Sequence, residues 1–196
     1  MPEHYAIGLK LSYFTVAYNL LEGLVSVVFA VLAGSPALLG FGIDSFVESL
    51  SGIVMIWRFS HPAEDERRER TAIRSIGVTL VILAAYVVYE AVTALYYRER
   101  PERSAVGLII AAISLAVMPV LYVLKRRTAQ ALESRSLMAD AKQTLACIML
   151  SVALLLGTGL HYTTGLWQAD AVAGLVIAAY LIREGYRAWT EQKLCC

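Results

Sequence analysis

Gly40-Phe41-Gly42-Ile43-Asp44-Ser45-Phe46-Val47-Glu48-Ser49-Leu50 is the stretch that decides how the chain is read. Asp44 and Glu48 stand four residues apart inside an otherwise apolar run, 38–57. On a helix that spacing puts both carboxylates on one face. If the run crosses a membrane, both acids lie in or near hydrocarbon. A charged group is costly there and marks a functional site by default. Two acids on one face repel when both are ionised, so the pair either shares protons or binds a cation.

The rest of the chain supports a membrane setting. Its 196 residues are 58% hydrophobic and 17% charged, against about 45–50% and about 25% for soluble domains. Mean hydropathy is +0.61. Besides 38–57, apolar runs fall at 11–32, 73–97, 105–124, 137–156 and 166–182. Each is of the order of the ~20 residues a spanning helix needs. The last is short and can extend through 183–189. The first is too long for a signal-peptide core and has no basic leader, so it is expected in the mature protein. Lys and Arg cluster at 58–74, 125–135 and 183–193, together with Lys10, whereas the opposite side carries Arg98, Arg100 and Arg103. By the positive-inside rule, the expectation is an all-α polytopic membrane protein of six transmembrane helices with both termini cytoplasmic. It is a single transmembrane domain over 1–196, with a charged cytoplasmic loop at 59–72, whose charge run reads as a solvated helix extension, and a short cytoplasmic tail at 183–196.

Composition also excludes. A net charge of +1 and no basic, aromatic-interleaved patch argue against nucleic acid as a partner. Cys147 lies in an apolar run and Cys195 and Cys196 are terminal, so there is no disulfide framework. The terminal pair reads as a frayed tail or a lipidation site. No Ser/His pair, His-Glu-x-x-His or Gly-Ser elbow lies within a span, so an enzyme is not expected.

The acids within the spans are Glu22, Asp44, Glu48, Glu90, Asp140 and Asp170, and the one basic residue there is Lys142. Net acidic spans suit a cation path. Polar stripes at helical spacing appear at Asn19, Glu22 and Ser26, at Tyr86, Glu90, Thr93 and Tyr97, and at Asp140, Gln143, Cys147 and Ser151. The fourth run offers only Ser114 and Pro119, the latter expected to kink it. Each residue has a plainer alternative. Glu22 either hydrogen-bonds a neighbouring helix or serves the path. Glu90 is an entrance acid or a ligand. Asp170 caps a helix start or joins the site. Asp140 pairs with Lys142 or Arg135. Cys147 is a small buried hydrophobe or a ligand. His61 is a loop histidine.

These motifs resemble the cation diffusion facilitator superfamily. Ile43-Asp44-Ser45-Phe46-Val47-Glu48 is similar to its second-helix acid-x3-acid motif, with Glu in place of the second Asp. Ala139-Asp140-Ala141-Lys142-Gln143-Thr144-Leu145-Ala146-Cys147 resembles the fifth-helix motif, with Gln143 at the family's His and Cys147 at its Asp. Trp167-Gln168-Ala169-Asp170-Ala171-Val172-Ala173-Gly174 resembles the start of the sixth helix. The resemblance implies a transporter of a divalent metal cation working by proton-coupled antiport. Its metal site is Asp44, Glu48 and Cys147, with Gln143 or water as fourth partner. Glu22, Glu90, Asp140 and Asp170 are accessory candidates. Zn2+ is the first expectation, and Cd2+, Co2+, Mn2+ and Fe2+ are alternatives because a thiolate lets softer metals compete. Also implied are a homodimer in the lipid bilayer, of bacterial-type inner (plasma) membrane. The chain resembles members without the C-terminal cytoplasmic domain, and His61 stands alone where many members carry a His-rich loop. A non-transporting membrane scaffold or a metal-sensing membrane protein is the alternative.

Overall fold

A computed structural model describes residues 2–33, 36–60, 66–97, 105–164 and 168–190. Six helices account for nearly all of them: α1 (Pro2–Ala33), α2 (Pro36–Phe59), α3 (Glu66–Tyr97), α4 (Ala105–Ala131), α5 (Arg135–Thr164) and α6 (Gln168–Thr190). There is no strand among the described residues. The first five are long and apolar enough to cross a membrane. The sixth falls short by composition, because Arg183, Glu184 and Arg187 interrupt its second half, yet it runs unbroken to Thr190.

The helices are built inside out relative to a soluble bundle. On α1, Ser12, Thr15, Asn19, Glu22 and Ser26 are buried, whereas Leu21, Leu24, Val28, Val31 and Leu32 are exposed. The spacing of three and four places the polar set on one stripe. In lipid the apolar face needs no cover, so the polar stripe is what turns inward. The same logic buries Asp44, Ser45, Glu48 and Ser51 on α2 and Ser136, Asp140, Gln143, Thr144, Cys147 and Ser151 on α5.

Small residues set how closely the helices approach. A Cβ at Gly42 would lie 3.2 Å from the Gly23 carbonyl oxygen, and one at Gly52 would meet Val16, Ser12 and Thr15. Gly8 lies against Phe59. The paired numbers rise on α1 as they fall on α2, so the two helices run antiparallel with backbones nearly touching. α3 and α6 pair in the same way: Gly185 would place a Cβ 3.0 Å from the Gly77 carbonyl oxygen, and Gly174 faces Val87 and Ala91. α4 packs along α5 and α1, and α5 also touches α2, α3 and α6, so α5 is the central element. α4 continues unbroken through Pro119.

The helix extension read in the charge run of 59–72 is present from Glu66 onward. α3 begins at Glu66, and the run Glu66-Arg67-Arg68-Glu69-Arg70 forms its first turns, with Arg70 bonded to Glu66 at 3.1 Å. His61 lies outside the described residues, as do Cys195 and Cys196. Glu69 reaches across to the start of α5, where its carboxylate accepts from the Ser136 backbone N–H at 2.7 Å and from Arg58 Nε at 2.8 Å. That carboxylate caps the helix end. Between α4 and α5 the chain reverses through Glu133, at φ 49°. The Ser134 N–H donates to the Ala129 carbonyl at 2.9 Å and the Glu133 N–H to the Gln130 carbonyl at 3.3 Å, the two bonds of a Schellman stop. The tail expected at 183–196 is helical as far as Thr190.

Candidate metal centre

α2 and α5 run antiparallel, so their motifs meet residue by residue. Ser51 Oγ donates to Asp140 Oδ1 at 2.7 Å, Thr144 Oγ1 donates to Glu48 Oε1 at 2.6 Å, and one turn further on Cys147 stands beside Asp44. Asp44 is 3% exposed, Glu48 0% and Cys147 1%. Among the described residues, both Asp44 oxygens and Glu48 Oε2 have no hydrogen-bond partner. Buried polar atoms are nearly always paired. Here the unpartnered ones also include Asn19 Oδ1, Ser26 Oγ, Asp140 Oδ2, Gln143 Nε2, Ser151 Oγ and, at the end of α2, Arg58 Nη1, so all but the last gather on the inward stripes of α1, α2 and α5.

Gln143, expected at the fourth position, is buried and tied to α3: Thr79 Oγ1 donates to its Oε1 at 3.0 Å. As placed, the atom left over is Nε2, a donor; Thr79 has one proton and a nearer acceptor in the Ile76 carbonyl at 2.7 Å, so the turned-over amide would donate to Thr79 and leave Oε1 for a cation. Ligation would require Gln143 to release Thr79 or turn its amide over. Cys147 has Ser114 of α4 at 3.9 Å and packs with Met118 and Leu121. Among the described residues, no three His, Cys, Asp or Glu side chains are gathered closely enough to hold an ion in this conformation. Asp44, Glu48 and Cys147 share one buried wall without closing on a common point.

The accessory candidates separate. Glu22 is buried and accepts from Ser45 Oγ at 3.0 Å and Tyr18 OH at 3.1 Å, so it bridges α1 to α2 next to Asp44. Glu90 is half-buried and lies over Gly40: a Cβ there would be 2.7 Å from Glu90 Oε1 and 2.5 Å from the Tyr86 hydroxyl. Glycine at 40 lets α3 lay an acid over α2 one turn before Asp44. Asp170 falls in the first turn of α6, and its side chain lies outside the described residues.

Asp140 does not pair with Lys142 or Arg135. Its partner is Lys125, whose Nζ is 2.8 Å from Asp140 Oδ2. Lys142 instead pairs with Glu184 of α6. The sequence reading placed Lys125 in an inner connecting segment. The structure carries α4 on to Ala131, which turns Lys125 inward and leaves it 0% exposed. Lys125 Nζ also donates to Thr144 Oγ1 at 2.9 Å and stands 3.9 Å from Glu48 Oε1. Lys125, Thr144, Thr79 and Ser51 are therefore the polar neighbours that reading missed. Thr144 was legible, since it follows Asp140 by four residues on the same helix. Lys125 was not, because only its partner's position separates it from Arg126 and Arg127.

Comparison with known proteins places this arrangement. The chain is 23% identical over 183 residues to transmembrane protein 163 of Xenopus laevis, covering 92% of this chain and 65% of that one. It is 25% identical over 181 residues to an uncharacterized transporter of Methanocaldococcus jannaschii, covering 88% of this chain and 64% of that one. It thus spans just under two thirds of the length of these relatives. The profile of the cation efflux transmembrane domain matches residues 12–192, which takes in all six helices and both motifs of the α2–α5 wall. The chain belongs to the cation efflux family of membrane proteins.

Proposed function

We propose that this protein moves a divalent metal cation, Zn2+ before others, across the membrane in exchange for protons, with Asp44, Glu48 and Cys147 as the cargo's ligands. The observation that carries the proposal is the set of buried polar atoms with no hydrogen-bond partner among the described residues: both oxygens of Asp44 and Oε2 of Glu48, one turn apart and beside the Cys147 thiol. Leaving such groups in a membrane interior costs several kcal/mol. A cation or protons offset that cost.

The chemistry of the donor set makes the exchange obligatory. Carboxylates and a thiol ligate metal in their deprotonated forms, so loading the cation releases protons and unloading takes them up. A dication on two carboxylates and a thiolate, or protons on the same atoms, leaves little net charge to cross the hydrocarbon. Alternating access then needs only that one part of the bundle rocks against another. The close pairs α1–α2 and α3–α6 are suited to move as units, with α5 between them. Glu90, over the Gly40 end of α2, serves as an entrance acid. The resemblance to cation diffusion facilitators supports a homodimer with both termini cytoplasmic.

The rival reading is a non-transporting membrane scaffold, and the packing of Cys147 against Met118 and Leu121 favours it. Two measurements separate the readings. Asp44→Asn abolishes metal-dependent proton flux in proteoliposomes, and Glu48→Gln removes metal protection in a growth assay. Full flux in the first variant refutes the transporter assignment.

A further inference from the structure

Lys125 is the one buried cation in contact with the proposed ligands among the described residues, and its bonds form a chain with a direction. An ammonium has three protons and no lone pair. Lys125 Nζ lies 2.8 Å from Asp140 Oδ2 as an ion pair and donates one proton to Thr144 Oγ1 at 2.9 Å. The Thr144 hydroxyl has a single proton. With Lys125 on its lone pair, that proton goes to Glu48 Oε1 at 2.6 Å, because the competing acceptor, the Asp140 carbonyl, is at 3.4 Å. Ser51 pins the far end by donating to Asp140 Oδ1 at 2.7 Å. One oxygen of Glu48 is thereby occupied, and Oε2 is left without a partner.

A purely structural ion pair would end at Asp140, whose Oδ1 accepts from Ser51 and whose Oδ2 faces the Lys125 ammonium. Replacing buried ion pairs by apolar groups is often neutral or stabilising, so stability alone does not explain a lysine there. Among the described residues the relay continues through Thr144 to Glu48.

We propose that Lys125, acting through Thr144, is a positioning residue that makes Glu48 present Oε2 alone to the cation. Its fixed charge, 3.9 Å from Glu48 Oε1, also holds affinity low enough for release. This rests on the cation site proposed above and adds its regulation: the number of oxygens Glu48 gives, and the strength of binding, are set from α4. A bare wall of acids would bind a dication tightly and let it go slowly.

The probe is Co2+, titrated into the 196-residue chain in detergent. Visible absorption reads coordination number, since four-coordinate Co2+ absorbs far more strongly than five-coordinate, and calorimetry reads affinity. Thr144→Ser keeps the hydroxyl and retains the wild-type spectrum. Thr144→Val frees Oε1, so Glu48 closes on the ion with both oxygens and the visible band weakens. Lys125→Met removes the opposing charge and tightens Co2+ binding by about tenfold or more. An unchanged band in Thr144→Val, or Lys125→Met binding no more tightly than wild type, overturns the relay. If Lys125→Met does not fold, the Thr144 pair decides alone. Wild-type protein that binds neither Co2+ nor Zn2+ overturns the site itself. Wild-type binding with silent variants overturns only the role of Lys125.

Discussion

Replacing Asp44 with Asn separates binding from folding, because the two carboxylate oxygens of Asp44 accept no hydrogen bond among the described residues. The amide is the same size as the carboxyl, loses no bond and removes a group that is costly to ionise in place. Metal-free Asp44→Asn is therefore expected within about 1 kcal/mol of wild type, or above it. Metal changes the comparison. At a free concentration 100 times the Kd, a ligand stabilises the folded state by about 2.7 kcal/mol. For a chain of this size that is a rise in Tm of roughly 5–11 °C. Loss of one direct ligand is expected to weaken binding about 100-fold, at the upper end of what supporting residues around a metal contribute. The same metal concentration then equals the variant's Kd, and the gain falls to about 0.4 kcal/mol, a shift of about 1–2 °C. The assay is thermal unfolding of purified protein in detergent, followed by tryptophan fluorescence, with and without Zn2+. Two results would refute the reasoning: a full Zn2+ shift in the variant, or metal-free protein destabilised by more than about 2 kcal/mol. The second would mean that Asp44 holds the fold together instead of waiting for a cation.

Other sites make separate demands. Cys147→Ser exchanges a soft donor for a hard one, so competition titrations should show the preference for Cd2+ over Mn2+ falling by about tenfold or more. Gly185→Ala puts a methyl group 2.8 Å from Val81 Cγ2 and 3.0 Å from the Gly77 carbonyl; prying α3 from α6 should cost about 1–3 kcal/mol by denaturant titration. Glu133→Gly relieves a left-handed backbone at φ 49° in a position that favours glycine, and should raise stability by up to about 1 kcal/mol.

How much of this could be read in the sequence depends on what each residue's position obeys. Helices and inward stripes follow from a local rule, the three-and-four spacing of polar residues in apolar runs, so Asn19, Glu22, Asp44, Glu48, Gln143 and Cys147 were all found as a set. Antiparallel α2 and α5 then bring the acids of one beside the sulfur of the other. Lys125 broke a different kind of inference. Charge placement treats a lysine next to Arg126 and Arg127 as an interfacial anchor, and only the three-dimensional position of Asp140 reveals that the helix continues and turns the side chain inward. Assigning Asp140 to Lys142 failed for the same reason: residues two apart face different sides of a helix, and Lys142 looks toward Glu184 on α6. The charged ends of α3 and α6 lower hydropathy without ending a helix, which is why 59–72 and 183–189 read as helix extensions beyond the apolar runs.

Zinc K-edge X-ray absorption tests the centre most directly, on full-length protein carrying Cys195→Ser and Cys196→Ser so that Cys147 is the only thiol. A site built from Asp44, Glu48 and Cys147 predicts one sulfur at about 2.3 Å with oxygens at about 2.0–2.2 Å, and loss of that sulfur in a further Cys147→Ser variant. A first shell of nitrogen and oxygen alone, or zinc bound equally well when Asp44 is replaced by Asn, would contradict it.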